Sequence, residues 1–192
     1  MSIVDDFLRV QDLFGHPGRR SFAAKPEMDP LTEDDSLTES QLLALRFNAG
    51  VNSFGLLLDL RQSIQLRSAN TGVLIVHEVE RFSWQQRLQE IEKQMMEQEI
   101  ASSSGPLYRG WSVIASEPRP TEHFNLKLLF APGAEMSVSG ASAEFFMGKV
   151  AGIGGAAVSF AESSSKEIDA SLPHWDSRIE VLYATFLDRR EP

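Results

Sequence analysis

The chain contains no cysteine among its 192 residues. It therefore forms no disulfide bond and has neither a thiol nucleophile nor a thiolate metal site, a usage typical of a reducing compartment. No apolar run approaches the roughly 20 residues that a membrane helix needs. The opening residues MSIVDDF also lack the basic segment of a signal peptide. These absences predict a cytoplasmic protein without a membrane anchor.

Basic residues are scarce. The sequence has 18 Lys and Arg against 27 Asp and Glu, which gives a net charge of −9. Such a surface repels nucleic acids and anionic lipids and attracts basic partners. Six carboxylates and no basic residue lie between Glu27 and Glu39, where we expect an acidic surface loop. The charge therefore favours a basic protein partner, and it disfavours nucleic acid or a membrane.

Catalytic and metal-binding motifs are also lacking. The sequence has four histidines, His16, His77, His123 and His174. They have no metal-ligand spacing, and HEVER lacks the second histidine of HExxH. GIGGAA at 152–157 matches a dinucleotide-binding pattern, but no helical periodicity follows it. Ser163 and Lys166 form SxxK without the companion motifs of an acyl transferase. We therefore expect no enzymatic activity, no cofactor and no bound metal.

The clearest pattern in the sequence is LLLDLRQSIQLRSANTGVLIVHEVE, residues 56–80. Its first half has apolar residues at even positions, namely Leu56, Leu58, Leu60, Ile64 and Leu66. Period-two alternation predicts a long strand with one face buried and one face in water. SANTG is typical of a turn, and the residues after it predict the returning strand of a hairpin.

The register of this hairpin predicts a possible pocket. It places Arg61 opposite Glu78 on the polar face and Gln62 opposite His77 on the apolar face. A buried polar pair must be hydrogen-bonded, or it costs a few kcal/mol. A hydrogen-bonded core or rim histidine is the simpler explanation of the pattern, and the alternative makes Gln62 and His77 candidate ligand-binding residues.

The remaining sequence predicts further strands and two helices. Apolar spacing indicates an N-terminal helix over 2–14 and a second helix near 85–100, after Trp84. QLLALRFN fits either a short helix or a strand, and RIEVLYATFL fits a final strand or a short helix. Strands are predicted at YRGWSVIAS, HFNLKLLFAPG, AEMSVSG and SAEFFMGKV, with turns at APG and SGAS.

These elements predict an α+β fold in a single domain, 1–192. Its main part is an antiparallel sheet curled into a sandwich or partial barrel. The helix and acidic loop occupy 1–40, the β-rich core with an inserted helix 41–150, and a loop-rich tail with the final strand 151–192.

The order of LLLDLRQSIQLRSANTGVLIVHEVERFSW, FAPGAEMSVSGASAEFFMGKVAGI and LPHWDS, within residues 45–187, resembles small acidic β-rich bacterial proteins, often actinobacterial. The resemblance implies no catalytic residue. Some proteins of this general kind are immunity proteins of polymorphic toxin systems, which suggests by analogy an acidic inhibitor of a basic protein toxin. Its candidate binding residues are Glu33, Asp34, Asp35, Trp175 and Asp176. The alternatives are a small-molecule binder with the Gln62/His77 pocket and, with least support, a hydrolase whose site is assembled from scattered residues.

Overall fold

The computed structural model describes residues 8–15, 24–86, 111–120, 122–131, 133–154 and 165–187. This part of the chain contains seven strands, one α-helix and one 3₁₀ helix. The strands are β1 (Gln41–Asn48), β2 (Ser53–Asp59), β3 (Thr71–Gln86), β4 (Trp111–Pro120), β5 (Phe124–Ala131), β6 (Ala134–Val150) and β7 (Ile179–Leu187). The 3₁₀ helix is Val10–Gly15 and helix α1 is Ser165–Ala170.

The strands form one antiparallel sheet in the order β3-β2-β1-β4-β5-β6-β7, which confirms the predicted sheet-rich class. β3 also pairs with β6. This second pairing closes the first six strands into a cylinder, and β7 pairs with the part of β6 that extends beyond β5. The contact between β1 and β4 is short, because it joins only Gln41 and Leu42 to Ser112 and Trp111.

β6 has two different neighbours along one edge. Residues 134–140 lie between β3 and β5, whereas residues 143–148 lie between β3 and β7. The predicted turn at SGAS is therefore wrong, since the strand runs straight through it. Gly140 permits this continuity, because a Cβ there would lie 2.5 Å from the carbonyl oxygen of His77. The turn at APG is confirmed by Gly133, which has a φ of 111°.

The cylinder is filled by apolar side chains from all six of its strands. β5 contributes Phe124, Leu126, Leu128 and Phe130, all buried, while the residues between them point outward. Two further aromatic rings pack at one end, where Trp84 lies 5.5 Å from Trp111 and 5.4 Å from Phe130 between ring centres. The interior is therefore a packed core.

A second apolar cluster lies outside the cylinder. Leu57, Ile75 and Phe146 project from the outer side of β2, β3 and β6 and are covered by Leu13 and Phe14 of the 3₁₀ helix. As a result every residue of β2 is buried, on both faces of the strand.

Both predicted helices differ from the structure. The predicted helix over 2–14 is only the 3₁₀ helix where it is described, and residues 1–7 lie outside the described part. The amides of Val10 and Gln11 donate to the carbonyl oxygens of Ser177 and Trp175, so they bond to another segment. The predicted helix near 85–100 begins inside a strand, because β3 continues to Gln86; residues 87–100 lie outside the described part. Both ambiguous segments form strands, β1 and β7.

The predicted hairpin register is also wrong. β2 ends at Asp59, which pairs with Thr71, and His77 lies opposite Ser53 rather than Gln62. Residues 60–70 form a loop, in which Ile64 is 52% exposed. The alternation gave a wrong prediction because the odd positions of β2 do not face water. Leu57 is buried on the outer side of this strand.

Candidate functional site

The acidic segment 27–39 is a folded loop that packs on the cylinder. The Asp35 amide donates to the Ser116 carbonyl over 2.7 Å, and the Asp35 carboxylate accepts from the Ser116 amide over 3.2 Å. Glu33 accepts a hydrogen bond from a backbone amide inside the segment. Asp34 lies 2.7 Å from Arg119, and its hydrogen bond and charge raise the pKa of that guanidinium. Each of the three predicted acids therefore makes contacts within the fold.

Trp175 and Asp176 lie elsewhere, in the loop between α1 and β7. The Trp175 ring is half-buried and packs 5.4 Å from the Phe14 ring, with the Arg46 guanidinium 5.9 Å from its centre. It lines a cavity of about 170 Å³ together with Leu57. Trp175 thus helps to attach the 3₁₀ helix, while Asp176 is exposed.

His77 is part of a buried polar cluster that sequence reasoning missed. Its Nδ1 lies 3.1 Å from Ser53 Oγ, and its Nε2 lies 3.5 Å from the Glu144 carboxylate. A serine, a histidine and a carboxylate in contact resemble the groups of a serine hydrolase. Ser53 is fully buried, however, and Glu144 is 2% exposed, so no substrate reaches the hydroxyl in this conformation. Only the pairing of β2, β3 and β6 brings these residues together.

Gln62 lies away from His77, in the loop 60–70, where its Oε1 accepts a hydrogen bond from Gln41 Nε2 over 2.9 Å. This loop forms most of an open cleft of about 750 Å³, which we call the cationic cleft. The cleft is lined by Leu60, Arg61, Gln62, Ser63, Arg67, Ser68, Ala69, Asn70 and Lys149.

Hydrogen bonds hold the loop in place at both ends. The Leu60 amide donates to the Asn70 carbonyl over 3.1 Å, which closes the loop. The Asn70 side chain then accepts from the Val150 amide over 2.9 Å and donates to the Val150 carbonyl over 3.2 Å. These bonds fix the loop beside the end of β6, which carries Lys149.

Arg61 holds the start of the loop through an ion pair with Asp59. Its guanidinium binds both carboxylate oxygens of Asp59 at distances of 2.7 to 3.1 Å, and the two side chains are 2% and 1% exposed. Bidentate pairing is the strong geometry for Arg and carboxylate. The pair neutralises the Arg61 charge, so Arg61 positions the loop rather than serving an added anion.

Arg67 and Lys149 remain as the available cations of the cleft. Both side chains are exposed, and within the described residues neither has a carboxylate at ion-pair distance. The lining of the cleft contains no Asp or Glu. In a chain with a net charge of −9, this cleft is a local concentration of positive charge, which suits an anion.

The motifs that the sequence analysis rejected also yield no site in the described part of the chain. No group of three or more potential ligands there is arranged to hold a metal ion. No helix among these residues is long and apolar enough to span a membrane. Of the GIGGAA motif only Gly152, Ile153 and Gly154 are described; His16 and Ser163 also lie outside the described residues.

Comparisons with known proteins give no assignment. No family model matches the chain, and neither the curated proteins nor the solved structures compared with it match. A functional argument therefore depends on the geometry of the cationic cleft.

Proposed function

We propose that this chain is a non-enzymatic binding protein that binds an anionic ligand in the cationic cleft. One observation carries the proposal: Arg67 and Lys149 line a cleft without carboxylates, and neither cation has a partner in the described part of the chain. Glu180 lies opposite Lys149 in the pairing of β6 with β7. No carboxylate of the described residues is at ion-pair distance from either cation, however, so the two cations supply the charge that an anion needs.

Neutral donors add to this arrangement. Gln62 uses its Oε1 to accept from Gln41, and its Nε2 group makes no hydrogen bond to the described residues. The Ser68 side chain also lines the cleft. A ligand anion placed between the cations would therefore meet amide and hydroxyl donors as well, and charge-assisted hydrogen bonds are the strong ones.

The proposal keeps part of the small-molecule hypothesis from the sequence, because Gln62 lines the cleft and His77 does not. The acidic inhibitor of a basic protein toxin stays a prediction, and Glu33 and Asp35 support the fold by internal contacts. The two hypotheses differ in the charge of the partner. An acidic surface attracts a basic protein, whereas the cationic cleft attracts an anion.

The first experiment is an NMR titration of the ¹⁵N-labelled protein with two simple probes, pyrophosphate and a tetraglutamate peptide. We expect saturable shifts of amides in 60–70 and 148–150 with at least one probe, weakened between 0.05 and 0.5 M salt because the field is screened. The double variant Arg67→Gln/Lys149→Gln should lose about tenfold or more in affinity.

Lys166→Gln is the matched control, since Lys166 is an exposed cation on α1 outside the cleft. It should leave both titrations unchanged. The proposal fails if neither probe gives saturable shifts, or if the double variant binds as tightly as the original protein.

A further inference from the structure

A second cleft, of about 460 Å³, lies directly beside the cationic cleft. The two clefts share Arg67 and Ser68, which form the ridge between them. We call the second one the mixed cleft, because polar and apolar residues line it about equally. Its other lining residues are Pro26, Glu27, Ile64, Gln65, Leu66, Met147 and Tyr183.

The hydrophobic surface of the mixed cleft is mainly that of Ile64. Leu66 and Met147 are each 2% exposed and belong to the main core, whereas Ile64 on the loop is 52% exposed. A ligand side chain that covers Ile64 removes apolar area of both groups from water, which favours binding. The loop 60–70 thus presents Ile64 to the mixed cleft and Arg67 to both clefts, with Lys149 of β6 on the far side of the cationic cleft.

We infer that the two clefts together bind one extended acidic segment of a partner protein, with a bulky apolar residue next to its carboxylates. This inference rests on the proposed function. The charges of Arg67 and Lys149 attract the partner's carboxylates, and the Ile64 side chain packs against the partner's apolar side chain. Glu27 lines only the mixed cleft, so repulsion keeps the partner's carboxylates on the Lys149 side.

The exposure of the lining favours a protein segment over a small molecule. Small-molecule pockets enclose most of the ligand surface. Here Gln62, Ile64, Arg67 and Lys149 are all exposed, and the clefts lie on both sides of one loop. An extended chain that crosses the Arg67–Ser68 ridge contacts both sides without needing to be enclosed.

Fluorescence anisotropy with two labelled peptides tests the inference. The peptides are Gly-Glu-Glu-Leu-Gly and Gly-Glu-Glu-Ala-Gly, which differ only in the apolar side chain. We expect the leucine peptide to bind about tenfold more tightly, because its side chain is removed from water. Ile64→Ser should lower the affinity for the leucine peptide to that of the alanine peptide and leave the alanine peptide unchanged.

Ile114→Ser is the matched control, because Ile114 is 57% exposed and lines neither cleft. It should alter neither affinity. Equal binding of the two peptides, or binding of pyrophosphate without either peptide, would overturn the inference and leave the proposed function standing. If neither pyrophosphate nor any acidic peptide binds, the inference and the proposed function are both wrong. Self-association of the unliganded protein that Arg67→Gln abolishes would identify a second copy as the occupant and also overturn the inference.

Discussion

β2 and β5 belong to the same cylinder, yet they bury their residues in different ways. β5 alternates between buried and more exposed positions, whereas all seven residues of β2 are buried. The difference lies outside the cylinder: water reaches the outer side of β5, and the 3₁₀ helix and its cluster cover the outer side of β2. Strict alternation of apolar and polar residues therefore indicates a strand with one face in water, and a strand that is buried on both faces lacks this pattern.

The largest expected effect concerns the charge pair at the end of β2. Asp59→Asn leaves the 2%-exposed Arg61 side chain without its counter-ion. The loss of unfolding free energy should be about 3–5 kcal/mol, measured by urea denaturation, because an unpaired buried charge is costly. Asp34→Asn removes an exposed partner of Arg119 and should change the urea midpoint little. Similar losses of unfolding free energy in the two variants would contradict the expected difference between the buried and the exposed ion pair.

The next effect compares two leucines on the outer side of the cylinder. Leu57 of β2 is 1% exposed, and Leu129 of β5 is only partly buried. Leu57→Ala should cost about 2–5 kcal/mol, because it opens a cavity in the outer cluster. Leu129→Ala should cost roughly 1 kcal/mol or less. Equal costs, measured by the same urea method, would mean that the outer side of β2 is not a second core.

The smallest effect concerns Ile64, which the even-numbered pattern places among the buried residues. Since Ile64 is 52% exposed, Ile64→Ser should change the unfolding free energy by no more than about 0.5 kcal/mol. A thermal or urea unfolding curve is sufficient. A loss above about 2 kcal/mol would favour the longer hairpin that the sequence predicts.

The strands with one wet face could be predicted from the sequence. Phe124, Leu126, Leu128 and Phe130 alternate strictly, and the APG turn sets the pairing of β5 with β6. Segments of this kind predict an antiparallel sheet. β2 carries a different signal, the uninterrupted Leu56–Leu58 run, which is typical of a strand buried on both sides. If this run is interpreted as a strand buried on both faces, the sequence predicts a shorter first strand for the hairpin.

The candidate site had no comparable local signal. Arg67 and Lys149 are far apart in sequence, and they meet because Asn70 bonds to the main chain of Val150. The cluster of Ser53, His77 and Glu144 likewise depends on the pairing of three strands. Local periodicity indicates which side of a strand is covered, but closure of the cylinder decides which side chains become neighbours.

The double role of β6 has a consequence for synthesis on the ribosome. β6 is the last of the six cylinder strands to be translated, and it joins β3 to β5. Until it emerges, the edges of β3 and β5 lack the partner that they have in the folded chain, and free strand edges promote aggregation. The nascent chain is therefore most vulnerable to mispairing after β3 and β5 have emerged from the ribosome and before β6 follows, because pairing with β6 then closes the cylinder.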